Sequence, residues 1–238
     1  MSQITSELAP TGVLRAGINM SNFLLVTGKT AGGDPQGVAP DMAAEIAKRL
    51  GVPVAYVKFD RPSHLADAAG TNVWDIGLIG AEPQRAEKIT FTPAYCEIEA
   101  TYLVPPGSPI SSSAEVDRPG VRITTRRGAA YCLWLERNIK QAKLVLSDTA
   151  NGPFDQFVAE KLEVYASLKP QLLTDAAKLP GSKILPGNFM TVQQAIGTAK
   201  PNSAGAAFLS AFVAEAKSSG LVARLIEKHQ VKGLSVAP

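Results

Sequence analysis

Residues 74–85 read Trp74-Asp75-Ile76-Gly77-Leu78-Ile79-Gly80-Ala81-Glu82-Pro83-Gln84-Arg85. The short, mostly apolar run over 74–79 predicts a buried strand. Pro83 then opens a short helix over 83–88, since proline suits the first helical position. Gly80, Ala81 and Glu82 fall between the two, at the strand's carboxyl end, where ligands bind in open α/β sheets.

Toward the amino terminus the same alternation continues. Residues 13–18 predict a short buried strand that ends in a polar loop over 19–22. Gly32-Gly33-Asp34-Pro35-Gln36-Gly37 carries turn chemistry. A helix follows over 41–50, with Met42, Ile46 and Leu50 on one face and Gly51 as its stop. Residues 52–59 predict a strand, and 62–69 a helix closed by Gly70. This βαβαβ order implies a mostly parallel sheet.

Toward the carboxyl terminus, 100–104 predict an apolar strand ending in Pro105-Pro106-Gly107, after which a second series begins. Its strands are expected at 120–124, 144–146 and 162–166, and its helices at 131–139 and 154–161. Gly128-Ala129-Ala130 reads as a small-residue turn and Asp175-Ala176-Ala177 as a polar connection. Residues 190–197 form a further extended segment, and 204–217 and 221–229 read as closing helices. Two extended segments thus bracket a middle block. The expectation is an α/β fold of two Rossmann-like lobes joined by a two-strand hinge, with a cleft between them. Lobe 1 would be 1–104 plus 192–238, and lobe 2, residues 105–191, would be inserted in it.

Composition narrows the function. The chain has 238 residues, 45% hydrophobic and 19% charged, which suits a folded protein with a substantial core. A net charge of +3 with no Lys/Arg stripe argues against nucleic acid as a partner. Arg126-Arg127 is the densest basic spot and reads as solvated surface. No run reaches the roughly 18 apolar residues of a membrane span, so no membrane insertion is expected. Residues 1–12 lack an apolar core, so no secretory signal is visible. Cys96 and Cys132 are expected to be buried free thiols, although an oxidising compartment would allow them to pair. His64 and His229 stand apart, with no metal partner at workable spacing. No Ser/His/Asp set, phosphate loop or metal cluster is present, so no cofactor is expected.

The stretch from Trp74 to Arg85, continued by Ile89-Thr90-Phe91-Thr92-Pro93-Ala94-Tyr95, resembles the strand, loop and helix of family 3 periplasmic solute-binding proteins of the polar amino-acid type. The second part is similar to that family's Phe-Ser-x-Pro-Tyr segment before the first hinge strand. Supporting likeness runs through residues 37–50, 108–135 and 219–228, so it covers nearly the whole chain. The resemblance implies the type II binding-protein fold. It also implies a monomer that closes on a small ligand and serves the membrane component of an ABC transporter. The compartment follows two ways: periplasmic by the family's habit if a signal was removed, cytoplasmic if Met1 is the native start.

The resemblance places Arg85 on the ligand's carboxylate. A planar guanidinium offers paired donors in carboxylate geometry, and the first turn of a helix also favours an anion. The competing reading is a solvated arginine paired with Glu82. Two departures from the family qualify the ligand. Where the family has hydroxyl residues, Gly80 offers only its backbone N–H, and Glu82 is a cap or an arginine-orienting group. Where α-amino-acid binders carry an Asp for the ligand's ammonium, this chain reads Ser167-Leu168-Lys169-Pro170. A buried ammonium facing Lys169 would be unpaired and repelled; the competing reading is that Lys169 points to solvent. The expected ligand is therefore a small anionic molecule and not a standard α-amino acid.

Further candidates lie on loops at strand ends. Asn19, Asn22 and Phe23 follow the first strand, with Phe23 divided between ligand wall and core. Ala129, Ala130 and Tyr131 match the family's Gly-Thr-Thr-like turn, with amides but no hydroxyls at the two alanines. Gln193 and Gln194 point to opposite faces of the second hinge strand, so at most one enters the cleft; Gln193 is the candidate. Trp74 and Trp134 read as core. Two functions remain open: a non-catalytic solute receptor, which is expected, and a cyclohexadienyl dehydratase-like enzyme using Glu82, Glu97 or Glu99 as general acid.

Overall fold

In the computed structural model the described residues are 2–149 and 151–238. Met1, on which the compartment question turns, lies outside them. The elements run α1 (Gln3–Leu8), β1 (Leu14–Asn19), β2 (Gly28–Lys29), β3 (Pro35–Gln36), α2 (Val38–Leu50), β4 (Val54–Phe59), α3 (Pro62–Asp67), β5 (Ile76–Gly80), β6 (Ile89–Phe91) and β7 (Cys96–Val104). The chain continues with β8 (Arg122–Arg126), α4 (Ala130–Asn138), β9 (Lys143–Ser147), α5 (Gly152–Ala159), β10 (Val164–Leu168), α6 (Lys169–Ala176), β11 (Lys183–Ile184) and β12 (Met190–Ala199). It closes with α7 (Ser203–Ser218), α8 (Leu221–Lys228) and β13 (Ser235–Val236).

The chain divides into two compact units, Met1–Glu97 with Gln193–Pro238, and Ile98–Val192. The first line falls seven residues before the expected 104. Residues 98–104 belong with the second unit because β7 pairs there with β10 and β11, Tyr165 opposite Leu103 and Lys183 opposite Val104.

In the first unit β1 runs parallel to both β4 and β5, and β12 returns antiparallel to β5. Helix α2 begins at Val38, ahead of the expected 41, because Pro40 is tolerated in a first turn whose amides need no intrahelical partner. Its buried Met42 and Ile46 face the sheet. Leu65, Trp74, Ile79 and Ile89 fill the other side, and the Trp74 indole N–H donates to the Leu65 carbonyl at 3.0 Å. Helix α1, with a Ser2 cap, packs against α7 and has no counterpart in the sequence expectations.

In the second unit the parallel strands β10, β8 and β9 stand beside antiparallel β7. Alternate residues of β7 feed two cores. Tyr102 and Val104 join Ile123, Leu135 and Val164, whereas Leu103 joins Phe157, Tyr165 and Leu172.

Two local expectations are corrected. Residues 83–88 form a single 3-10 turn, Arg85–Glu87, and not a helix, so they provide no helix-end dipole. Asp175 lies not in a polar connection but within α6, 2% exposed; Lys169-Pro170 starts that helix, since Pro fits its second position. Among the described residues no single helix is long and apolar enough to cross a membrane. Cys96 and Cys132 are buried and free, as expected.

Candidate functional site

The carboxyl end of β5 in the first unit gathers most of the candidates. Ile18 stands opposite Leu78, so Asn19 and Gly80 finish neighbouring parallel strands at the same end. The chain beyond Gly80 is anchored by Ala81 N–H donating to the Gln193 carbonyl at 2.8 Å. Glu82 accepts the amides of Arg85 and Ala86 on its carbonyl, which builds the 3-10 turn.

This turn folds Arg85 back over the strand end. Its Nη1 donates to the Gly80 carbonyl at 2.7 Å, and the residue is only 6% exposed. Burial lowers its pKa to about 10, against the opposing pull of the Glu82 and Asp67 charges. It remains a cation at neutral pH. Glu82 is itself buried. The solvated-arginine reading is therefore replaced: the guanidinium is held in a desolvated niche, where its interaction with an anion is strongest.

The loop after β1 is self-bonded. Asn19 Oδ1 accepts from Ser21 N and Oγ, and Asn22 Oδ1 accepts from Leu24 N. Both side-chain oxygens thus hold the loop's shape. What the loop presents is Phe23, 45% exposed. The Phe23 side chain is not core.

The two glutamines on β12 part company. Gln193 Nε2 donates to Glu97 Oε2 at 2.8 Å, so that candidate amide is tied to its neighbouring strand. Gln194 pairs through its backbone with Gly80 and is buried. It is the glutamine beside the Arg85 anchor. Strand alternation says that the two face apart, but only the register with β5 says which one meets Gly80.

In the second unit the parallel strands β10, β8 and β9 end together. There Ala129 caps α4, Ala130 is its first residue, and no side chain satisfies the cap. Tyr131 is buried, with Ser167 Oγ 3.4 Å from its hydroxyl. Burial raises the Tyr131 pKa.

Of the two readings of Lys169, cleft-facing or solvent-facing, the structure shows a half-exposed lysine held by an ion pair. Its Nζ lies 2.7 Å from Glu99 Oε2, both side chains are largely exposed, and Asn188 Nδ2 donates to the other Glu99 oxygen at 3.3 Å. The hydrogen bond from Lys169 lowers the Glu99 pKa. Lys169 is thus neutralised on β7 rather than left as a lone repelling charge. A lysine followed by proline looks like a loop cation in sequence, while its partner lies 70 residues away.

Among the described residues no group of three or more His, Cys, Asp and Glu is arranged to hold a metal. His229 instead meets Asp41 Oδ2 at 2.8 Å.

A family model described as bacterial extracellular solute-binding proteins, family 3, matches residues 14–232. None of the curated proteins matches at a significant level. Among solved structures, the chain is similar to a solute receptor for L-cysteine of Neisseria gonorrhoeae, with TM-score 0.78, 20% identity and 100% of both chains covered. It is similar to an amino acid ABC transporter substrate-binding protein from Streptococcus pneumoniae Canada MDR_19A bound to L-arginine, with TM-score 0.75, 18% identity and 100% of both chains covered. An ancestral amino acid-binding protein described as a precursor of cyclohexadienyl dehydratase aligns with TM-score 0.77 and 20% identity, over 98% of this chain and 100% of that one. At these identities the likeness establishes the fold, which is the type II binding-protein fold.

Proposed function

Because the chain belongs to the bacterial extracellular solute-binding proteins of family 3, we propose that it captures a small carboxylate-bearing solute between its two units by hinge closure and delivers it to an ABC-type transporter or sensor. The observation that carries this reading is Arg85, a nearly buried guanidinium fixed on the Gly80 carbonyl at the end of a parallel strand. A planar donor fork in a dry setting selects a carboxylate. The L-cysteine and L-arginine named for two of the similar structures both carry one.

Phe23, exposed beside Asn19 and Asn22, supplies an apolar wall, and the first amides of α4 at Ala129, Ala130 and Tyr131 supply further donors for negative charge. Gly80 and Glu82 act through Arg85, one as its anchor and one as its counter-charge. Gln193 orders the segment beyond Gly80 through its carbonyl.

The solute proposed is an anion without an α-ammonium group. The support is the absence of a carboxylate in Ser167-Leu168-Lys169, and the use of the next acid, Asp175, by Tyr165, Gln171 and Lys178. Repulsion by Lys169 no longer contributes, since Glu99 neutralises it. Chemistry on the solute has less support. A dehydratase-type reaction needs a protonated carboxyl group over its substrate. Glu99 is held toward its ionised form by Lys169, and Glu97 is tied to Gln193.

Calorimetric titration with succinate, lactate, L-cysteine, L-arginine and prephenate tests the reading. Binding of an acid that lacks an amino group, with no turnover, is expected. Tighter binding of an amino acid overturns the ammonium argument, and conversion of prephenate overturns the receptor.

A further inference from the structure

The second unit contains a cavity of ≈ 300 Å³ whose residues take no part in the site above. Its floor is Tyr102 on β7, stacked on Phe189 with ring centroids 4.5 Å apart. Trp134 of α4 tilts against Phe189 at 5.1 Å. Three rings therefore line one small space, at the lower end of the ~300–1,000 Å³ typical of ligand sites.

Two hydroxyls accompany the rings. Ser113 Oγ is buried with no hydrogen-bond partner among the described residues. It is not needed for capping the 3-10 turn Ser113–Glu115 in which it lies, which Ser112 and Glu115 close between them. Tyr102, 3% exposed, is the second hydroxyl-bearing residue of the lining. Buried polar groups nearly always have a partner, and leaving one unpaired is costly. At the rim, the Asp117 carboxylate accepts the backbone amides of Lys140, Gln141 and Ala142. Its charge disfavours an anion in this space.

We propose that this cavity binds a small neutral aromatic molecule carrying one hydroxyl or ring N–H, of the phenol or indole kind. The rings provide offset or edge-to-face stacking, and the hydroxyls of Tyr102 and Ser113 take the ligand's single polar group. An acid of the type proposed for Arg85 is disfavoured by Asp117, so the two sites prefer chemically distinct ligands.

Titration of the full chain with phenol, toluene and benzyltrimethylammonium tests the assignment. Phenol is expected to bind one per chain and more tightly than toluene. Tyr102→Phe keeps the ring and removes the hydroxyl, so phenol affinity should fall roughly tenfold while toluene affinity is unchanged. Ala114→Phe, at an exposed lining position, should block both, and circular dichroism melting verifies that each variant is folded. The proposal is overturned by absence of phenol binding, by unchanged phenol affinity in both variants, or by tighter binding of the ammonium probe.

Discussion

The Arg85 guanidinium stands on the carbonyl oxygen of Gly80, with Nη1 2.7 Å from it. This main-chain contact, five residues back along the chain, helps orient a charged group that burial has largely removed from water. Arg85→Lys keeps the charge but loses the planar fork, so carboxylate affinity should fall about tenfold. Arg85→Ala should weaken it by ~2–5 kcal/mol, because the ligand's charge is then buried unpaired. Calorimetry at a temperature where both variants are folded gives the result. Undiminished binding in either would remove Arg85 from the site.

A second arginine is predicted to serve the fold. Arg15 on β1 grips Asp75 just before β5, with Nη2 2.6 Å from Oδ1 and Nε 3.0 Å from Oδ2. Asp75 is 5% exposed, and its carbonyl accepts the Thr198 hydroxyl from β12. Three strands meet at this residue, at the end of the sheet away from Gly80. Asp75→Ala should cost about 3 kcal/mol, the usual consequence of breaking a largely buried pair. Asp75→Asn should cost less, since it keeps an acceptor. Urea unfolding checks both, and carboxylate binding should persist in either variant.

These two arginines show how far the sequence could be read. The apolar run over 74–79, the periodicity of Met42 and Ile46, and the alternation of strands with helices are local signals, and they placed most elements within a few residues. Arg85 was found through its motif. What stayed hidden depends on contacts distant in sequence: Lys169 with Glu99, Gln193 with Glu97, and the choice of Gln194 as the residue opposite Gly80. The 3-10 turn at 85–87 is hidden for another reason. Proline marks where a helix can begin, but nothing local fixes how many turns follow.

Acid should weaken the second unit through its caps. Glu115 is pulled down to about 2 by the amides and hydroxyls of Ser111 and Ser112, and Asp117 is lowered by the amides of Ala142, Gln141 and Lys140. A carboxylate whose pKa is depressed in the folded state stabilises that state above its unfolded pKa. The stabilisation is lost as pH falls through the folded value. The urea midpoint should therefore decline from pH 5 toward pH 2, and decline less steeply in Glu115→Gln. An unchanged slope in that variant would show that the Ser111–Ser112 cap does not contribute.

The two thiols provide a probe of each unit's integrity. Cys96 is fully buried in the first unit, and burial pushes its pKa well up. Cys132 lies on α4 in the second unit, where burial foremost and the Glu136 charge next raise it to about 12. At pH 8 Cys132 is held as the thiol, and the thiolate is the reactive form. Native protein should therefore resist a disulfide-exchange reagent at both positions, and guanidinium should release both to rapid labelling. Labelling after partial denaturation, with the modified residue identified by mass spectrometry, reports which unit opens first. Rapid modification of Cys96 in the native protein would mean that the strand entering the first unit's boundary is not packed as described.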